Sequence, residues 1–340
     1  MTDTLVTVLT PPGKAAIATI AVRGPQAWTI ARQLFKPAHG VLSETLEPGR
    51  FRFGKLAGDD VVLTIKPDSI EIHCHGGVEM VRAIEEAFVQ HGARVVPWQL
   101  FVGDAGPILD LLANAPTTRT TNILLDQLNG AWERRTKDVA RLRELIPLGQ
   151  HLVTPWKVVL AGAPNVGKSS LMNALAGYTR SIVAPTPGTT RDVVTLRVAI
   201  DGWPIELADT AGMRDEGGII EKLGIERARV AMATADLRLW LVDASTSPTF
   251  PDDAGAWICV INKCDLPAAW NWNRDEKPLR ISALTGAGIA ELCETISKTL
   301  VRNPPAPGEA VPCLPEHFAG VIERPREADA CRGRKATVEE

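Results

Sequence analysis

Two hydrophobic periods alternate along this chain, and their order changes near residues 97, 153 and 300. In the first stretch, Leu5 to Val8 and Ala16 to Val22 read as strands separated by the turn Pro11-Pro12-Gly13. Val61 to Ile65 and Ile70 to Cys74 extend the period of two. Pro25 to Leu34 reads as a helix with Ala27, Ile30, Ala31 and Leu34 on one side. After Gly76-Gly77, Val78 to Gln90 is a second helix carrying Val81, Ile84, Ala87 and Phe88 on one face, with Gly92 as its stop. Residues 1–97 are therefore expected to form an α+β unit.

Residues 98–153 lose the alternation and form a short helical segment. Leu109 to Ala113 and Asn122 to Leu145 carry helical spacing, and the charges Glu133, Arg134, Arg135, Lys137 and Asp138 read as a solvated helix face. Residues 154–300 alternate strand and helix. Strands are expected at Lys157 to Ala161, Val194 to Ile200, Ile205 to Ala208, Leu237 to Val242, Trp257 to Ile261 and Leu279 to Ile281. Asp201-Gly202 signals a hairpin, so the sheet is mixed, with one antiparallel edge on a doubly wound α/β core. Residues 301–340 are proline-rich and expected to be irregular, with at most one short helix and a disordered end.

Composition narrows the class. Of 340 residues, 45% are hydrophobic and 23% charged, the net charge is −3 and mean hydropathy is +0.01, which describes an ordinary globular chain with no broad basic surface. No apolar run is long enough to span a bilayer and no basic-then-apolar leader is present, so no membrane partner and a cytoplasmic location are expected. The six cysteines lack C-x-x-C spacing, which argues against a disulfide framework. His73-Cys74-His75 invites a zinc reading. Alternation instead puts the two histidines on one strand face and Cys74 with Ile70 and Ile72 on the other, which favours a structural or substrate-contacting pair.

The chemistry begins at Gly162-Ala-Pro-Asn-Val-Gly167-Lys168-Ser169, between the apolar run Val158-Val159-Leu160 and a helical run near Ser170. That context makes a phosphate-binding loop: backbone N–H groups turn inward, Lys168 adds a point charge and the Ser169 hydroxyl suits Mg²⁺. Asn262-Lys263-Cys264-Asp265 follows an apolar strand, where Asn262 and a carboxylate can face a purine edge. The Asp265 carboxylate accepts both the N1–H and the amino group of guanine, which adenine cannot match. Ser282-Ala283-Leu284 ends the next strand and offers a backbone N–H to guanine O6. Together these favour GTP/GDP over adenine nucleotides. Asp209-Thr-Ala-Gly212 follows the third strand, with Asp209 placed to hold Mg²⁺ through water and the Gly212 N–H to meet a γ-phosphate. Gly188-Thr189-Thr190-Arg-Asp192 supplies Thr190 as the second Mg²⁺ ligand. Met213 stands where many GTPases carry a water-orienting glutamine, so the catalytic group must come from elsewhere; Glu216, Glu221 and Glu226 follow on a glycine-containing loop.

Three further stretches carry a family resemblance: Thr7 to Pro25, Glu71-Ile-His-Cys-His-Gly-Gly77, and Ala161 to Leu175. With Gly188-Thr-Thr-Arg-Asp192 and Glu221-Lys-Leu-Gly-Ile-Glu-Arg-Ala228, the chain resembles the tRNA-modifying GTPases of the MnmE (TrmE) type, over about residues 4 to 95 and 155 to 300. The resemblance implies a homodimer joined through an N-terminal α+β domain that binds a formyl- or methylene-tetrahydrofolate, a helical middle, and a P-loop GTPase (G) domain of Ras-like mixed sheet that dimerises around K⁺. It implies Asn165 as a K⁺ ligand, completed by carbonyls of 184–189, and Glu221 as the catalytic glutamate. Gly167, Lys168, Ser169, Ser170, Thr189, Thr190, Asp209, Gly212, Asn262, Lys263, Asp265, Ser282 and Ala283 form the nucleotide site. It also implies an FAD-containing MnmG-type partner and action on the wobble uridine of tRNA.

The family's helical domain is built from two long segments and ends in Cys-apolar-Gly-Lys. Here the first is short, the second is nearly absent, and Cys331-Arg-Gly-Arg-Lys335 only echoes that ending. Within the G domain, only Ser245 to Gly255 joins two strands that need a crossover if parallel. A second reading therefore stands beside tRNA modification: a divergent GTPase switch in assembly or signalling.

Overall fold

The computed structural model describes residues 3–11, 15–45, 47–179, 195–209, 230–251, 256–273 and 278–322. The chain divides into two compact units, Met1–Asp110 and Leu111–Glu340. Motif residues Thr189, Thr190, Gly212, Met213, Glu221 and Cys331 lie outside the described residues.

The first unit is a seven-stranded sheet. Its elements are β1 Leu5–Val8, β2 Ile17–Arg23, α1 Ala27–Leu34, β3 Lys36–Pro37, β4 Phe51–Leu56, β5 Asp59–Ile65, β6 Ile70–His75, α2 Val78–Gln90, β7 Arg94–Val95 and α3 Trp98–Val102. Strand order is β3-β4-β5-β6-β2-β1-β7, antiparallel except for β1 with β7. Alternation buries one face: Val61, Leu63, Ile65, Ile70, Ile72 and Cys74 join Ile30, Ala31, Ile84 and Phe88 in one core. Phe51 and Phe53 are exposed. β4 escapes the sequence pattern because Gly54 interrupts it. That glycine is required, since a Cβ there would collide with the Lys36 carbonyl on β3.

The histidine pair falls as the alternation predicts. Cys74 is buried, His73 Nδ1 lies 3.1 Å from Thr19 Oγ1, and His75 Nδ1 lies 2.6 Å from Asp59 Oδ1. Among the described residues no group of three or more His, Cys, Asp or Glu is placed to hold a metal.

α4 Gly106–Ala113 carries the chain into the second unit. The expected single helix from Asn122 to Leu145 is two helices, α5 Thr118–Leu128 and α6 Val139–Gln150. Gly130, at φ 84°, lies just past the end of α5, and Asp138 caps α6 by accepting from Ala140 N and Arg141 N. The charges 133–138 thus occupy a connection rather than a helix face.

A six-stranded sheet follows: β8 Trp156–Gly162, α7 Lys168–Thr179, β9 Thr195–Ile200, β10 Trp203–Asp209, β11 Leu237–Asp243, β12 Ile258–Asn262, β13 Leu279–Arg280 and α8 Ile289–Leu300. Its order, β13-β12-β11-β8-β10-β9, is parallel except for the β9–β10 hairpin, as expected for a Ras-like mixed sheet. Asp201 and Gly202 both take positive φ at the hairpin tip, the geometry of a type I′ turn. β11 and β12 are indeed parallel, yet no helix joins them among the described residues. Phe250, Trp270 and Trp272 instead pack over Val242, Ala244 and Ile261.

The proline-rich stretch after α8 is irregular but packed. Ala310, Val311, Cys313 and Leu314 are buried before the short helix α9 Pro315–Ile322. Gln127 Nε2 donates to Glu309 O and its Oε1 accepts from Val311 N, while Arg141 pairs with Glu309 at 2.7 Å.

Candidate nucleotide site

The site forms at the carboxyl ends of β8, β10, β11 and β12, where an open α/β sheet places its ligands. After β8 the backbone turns through positive φ at Gly162, Asn165 and Gly167, and α7 begins at Lys168. Both glycines are obligatory here, because a Cβ at Gly162 would collide with the Leu241 carbonyl and one at Gly167 with the Asn262 amide. Backbone turned through positive φ just ahead of a helix N-terminus is a geometry that favours an anion. Lys168 is buried and reaches the carbonyls of Gly162 at 3.0 Å and Ala163 at 2.9 Å, spanning the loop from beneath. Ser169 Oγ lies 3.2 Å from Asp209 Oδ2, and Asp209 is buried. Two hard oxygen donors so placed fit a Mg²⁺ site. Ser170 is exposed one residue further along the helix.

Asn262 lies between the phosphate loop and the segment after β13, with one of its two amide hydrogens still available to a purine edge. It is 1% exposed; Nδ2 donates to Val166 O at 2.9 Å and Oδ1 accepts from Ala283 N at 3.0 Å. It acts as a strut tying the phosphate loop to the segment after β13, and any base contact of the Ala283 N–H is shared with that bond. Ser282 is also inward: its Oγ accepts from Thr285 N and its N–H donates to Ala287 O. Asp265 is exposed. Lys263 Nζ contacts Asn165 O at 2.8 Å and Asp243 Oδ2 at 2.6 Å.

Asp243 is the site residue that the motifs did not reveal. An acidic residue closing an apolar parallel strand is a readable signal, because strand ends are where ligands bind. Burial pushes its carboxyl pKa up, but hydrogen bonds from Lys263 and Ser245 outweigh that and hold it below the ordinary value.

The model for the GTP-binding protein TrmE N-terminus matches residues 4–97, and that for a 50S ribosome-binding GTPase matches residues 157–263. The tRNA modification GTPase MnmE of Chloroflexus aurantiacus is 32% identical over 381 residues, covering 88% of this chain and 82% of that protein. This chain belongs to the MnmE family. The Phenylobacterium zucineum member is 31% identical, covering 89% of this chain and 84% of its own, and that of Heliobacterium modesticaldum is 30% identical, covering 87% and 81%. The two family models together take in residues 4–97 of the first unit and, in the nucleotide site, the phosphate loop, Asp209, Asp243, Asn262 and Lys263.

Proposed function

We propose that this chain is a Mg²⁺-dependent GTP hydrolase acting in modification of the tRNA wobble uridine. The observation that carries the reading is the joining, in one chain, of a TrmE-type N-terminal unit to a site where a phosphate loop, Ser169, Asp209 and the Asn262 strut converge. Bound Mg²⁺ and K⁺ supply positive charge against the β- and γ-phosphates. Ser169, Thr190 and Asp209 are the proposed Mg²⁺ residues. Asn165, exposed and at φ 64°, is the proposed side-chain ligand to K⁺. The loop amides and Lys168 hold the phosphates, and Asp265 selects guanine. Thr189 and Gly212 complete the phosphate contacts, and Glu221 orients the attacking water, since Met213 cannot.

Homodimerisation, a tetrahydrofolate-bound one-carbon unit, an FAD-containing MnmG-type partner and a cytoplasmic location belong to the same proposal. No helix among the described residues is long and apolar enough to cross a membrane.

Replacing Glu221 with Ala should slow GTP turnover at least tenfold while nucleotide binding persists, and turnover in K⁺ should exceed that in Na⁺. Nucleoside analysis of tRNA from a deletion strain decides between the two functional readings. Unmodified wobble uridines support tRNA modification. An unchanged nucleoside profile, with no second gene copy, favours a GTPase switch in assembly or signalling.

A further inference from the structure

Asp243 closes β11 directly beside Asn262 of β12, with which it pairs in register. It is 5% exposed, and both carboxylate oxygens are engaged: Oδ2 takes the Lys263 ammonium at 2.6 Å, and Oδ1 takes Ser245 N at 2.8 Å and Ser245 Oγ at 2.7 Å. Its backbone carbonyl accepts the Trp270 indole N–H at 2.9 Å, and the next carbonyl, of Ala244, accepts Ala269 N at 2.9 Å. One residue thus ties down both Lys263 and the far end of the loop that carries Asp265.

Lys263 needs such a tie. Its backbone sits at φ 61°, a region that costs a long side chain about 1 kcal/mol. The conformation turns the ammonium back towards the phosphate loop, where it meets Asn165 O. A lysine ammonium on a flexible stem gains little by holding a neutral carbonyl at a half-exposed position, whereas a buried carboxylate fixes it in direction as well as distance. The stem then spans from the end of β12 to the phosphate loop, two residues before Asp265 in the chain.

We propose that Asp243 is a positioning residue for nucleotide retention: acting through Lys263, it holds the end of β12 to the phosphate loop and sets how slowly the nucleotide leaves. The inference rests on the guanine-nucleotide reading of the site. Asparagine at 243 keeps the shape and can still accept from Ser245, but removes the charge that holds the ammonium.

The test uses the 340-residue chain and a fluorescent GDP analogue. Asp243→Asn should speed GDP release roughly tenfold and raise KM for GTP by a similar factor, with kcat at saturating GTP within about twofold of the parent. In a Lys263→Met background the same substitution should add less than about twofold, because the pathway through the ammonium is already cut. Lys263→Met alone, which removes the ammonium at the other end of the same pair, should speed release by a similar factor; it carries the test if Asp243→Asn does not fold. Release unchanged in Asp243→Asn, an equal effect in the Lys263→Met background, or a loss of kcat at constant KM would each overturn the proposal. Failure of the parent chain to bind GDP would instead remove the underlying reading of the site.

Discussion

At Gly167 the backbone takes φ 95° directly above the Asn262 amide, so one position meets both a dihedral and a steric demand. Gly167→Ala should therefore weaken GDP binding by more than tenfold, measured by fluorescence titration, because relieving the contact displaces the strut. His317 offers a second test at this scale. It stacks on Trp132 with ring centroids 3.8 Å apart, and its Nδ1 accepts from Cys313 N. Burial holds its pKa below the ordinary 6.5. The unfolded chain then binds the extra proton first, so this contribution to stability is complete above about pH 6.5 and is lost as pH falls through the folded value. Urea midpoints at pH 7.5 and 5.5 should differ in the parent, and differ less in His317→Phe. The same site shows what sequence reading can reach. Gly162, Gly167, Lys168 and Ser169 were legible from spacing, because each obeys a local geometric demand. The position of Asp243 at a strand end was readable too, but its bond to Lys263 and that of Asn262 to Val166 were not, since those partners lie 20 and 96 residues away in the chain.

At the scale of elements, the β9–β10 hairpin is held from outside the sheet. Arg119, at the start of α5, donates to Asp201 O at 2.6 Å and Asp201 Oδ2 at 2.8 Å and lies 4.2 Å over the Trp203 ring; the α5 cap residue Thr117 donates to Gly202 O at 2.7 Å. That hairpin runs between the motif containing Thr190 and the motif beginning at Asp209. Arg119→Ala should cost about 1 kcal/mol in urea unfolding, a modest figure because the pair is partly exposed and screened. The hairpin turn was readable in Asp201-Gly202, but its clamp required tertiary structure. The break between α5 and α6 was masked for another reason. Apolar Leu128, Ala131 and Trp132 preserve helical spacing across Gly130, and periodicity alone does not register a turn that buries the same residues.

At the scale of the molecule, the stretch 302–314 had no periodicity, and irregularity was all its sequence announced. Its order comes from partners on α5 and α6: Gln127, Arg141 and Asp126, the last accepting from Gly308 N at 2.8 Å. Even Gly149 is recruited, since a Cβ there would collide with the Pro312 carbonyl. Deleting residues from 303 onwards would expose the apolar side of α6 and remove the burial of Val311, Leu314 and Val321. The cost is several kcal/mol, and the calorimetric melting temperature of the second unit should fall by roughly 10 °C.

The strap has one more consequence. The chain leaves α6 at Gln150 to build the six-stranded sheet, and on returning it docks Asn303 on Glu144 and the Asn303 and Pro304 carbonyls on Arg141. The nucleotide-binding fold is thus an insertion whose entry and exit are stapled to a single helix. Arg141 and Glu144 of α6 therefore hold both ends of the inserted sheet together within two turns of one helix.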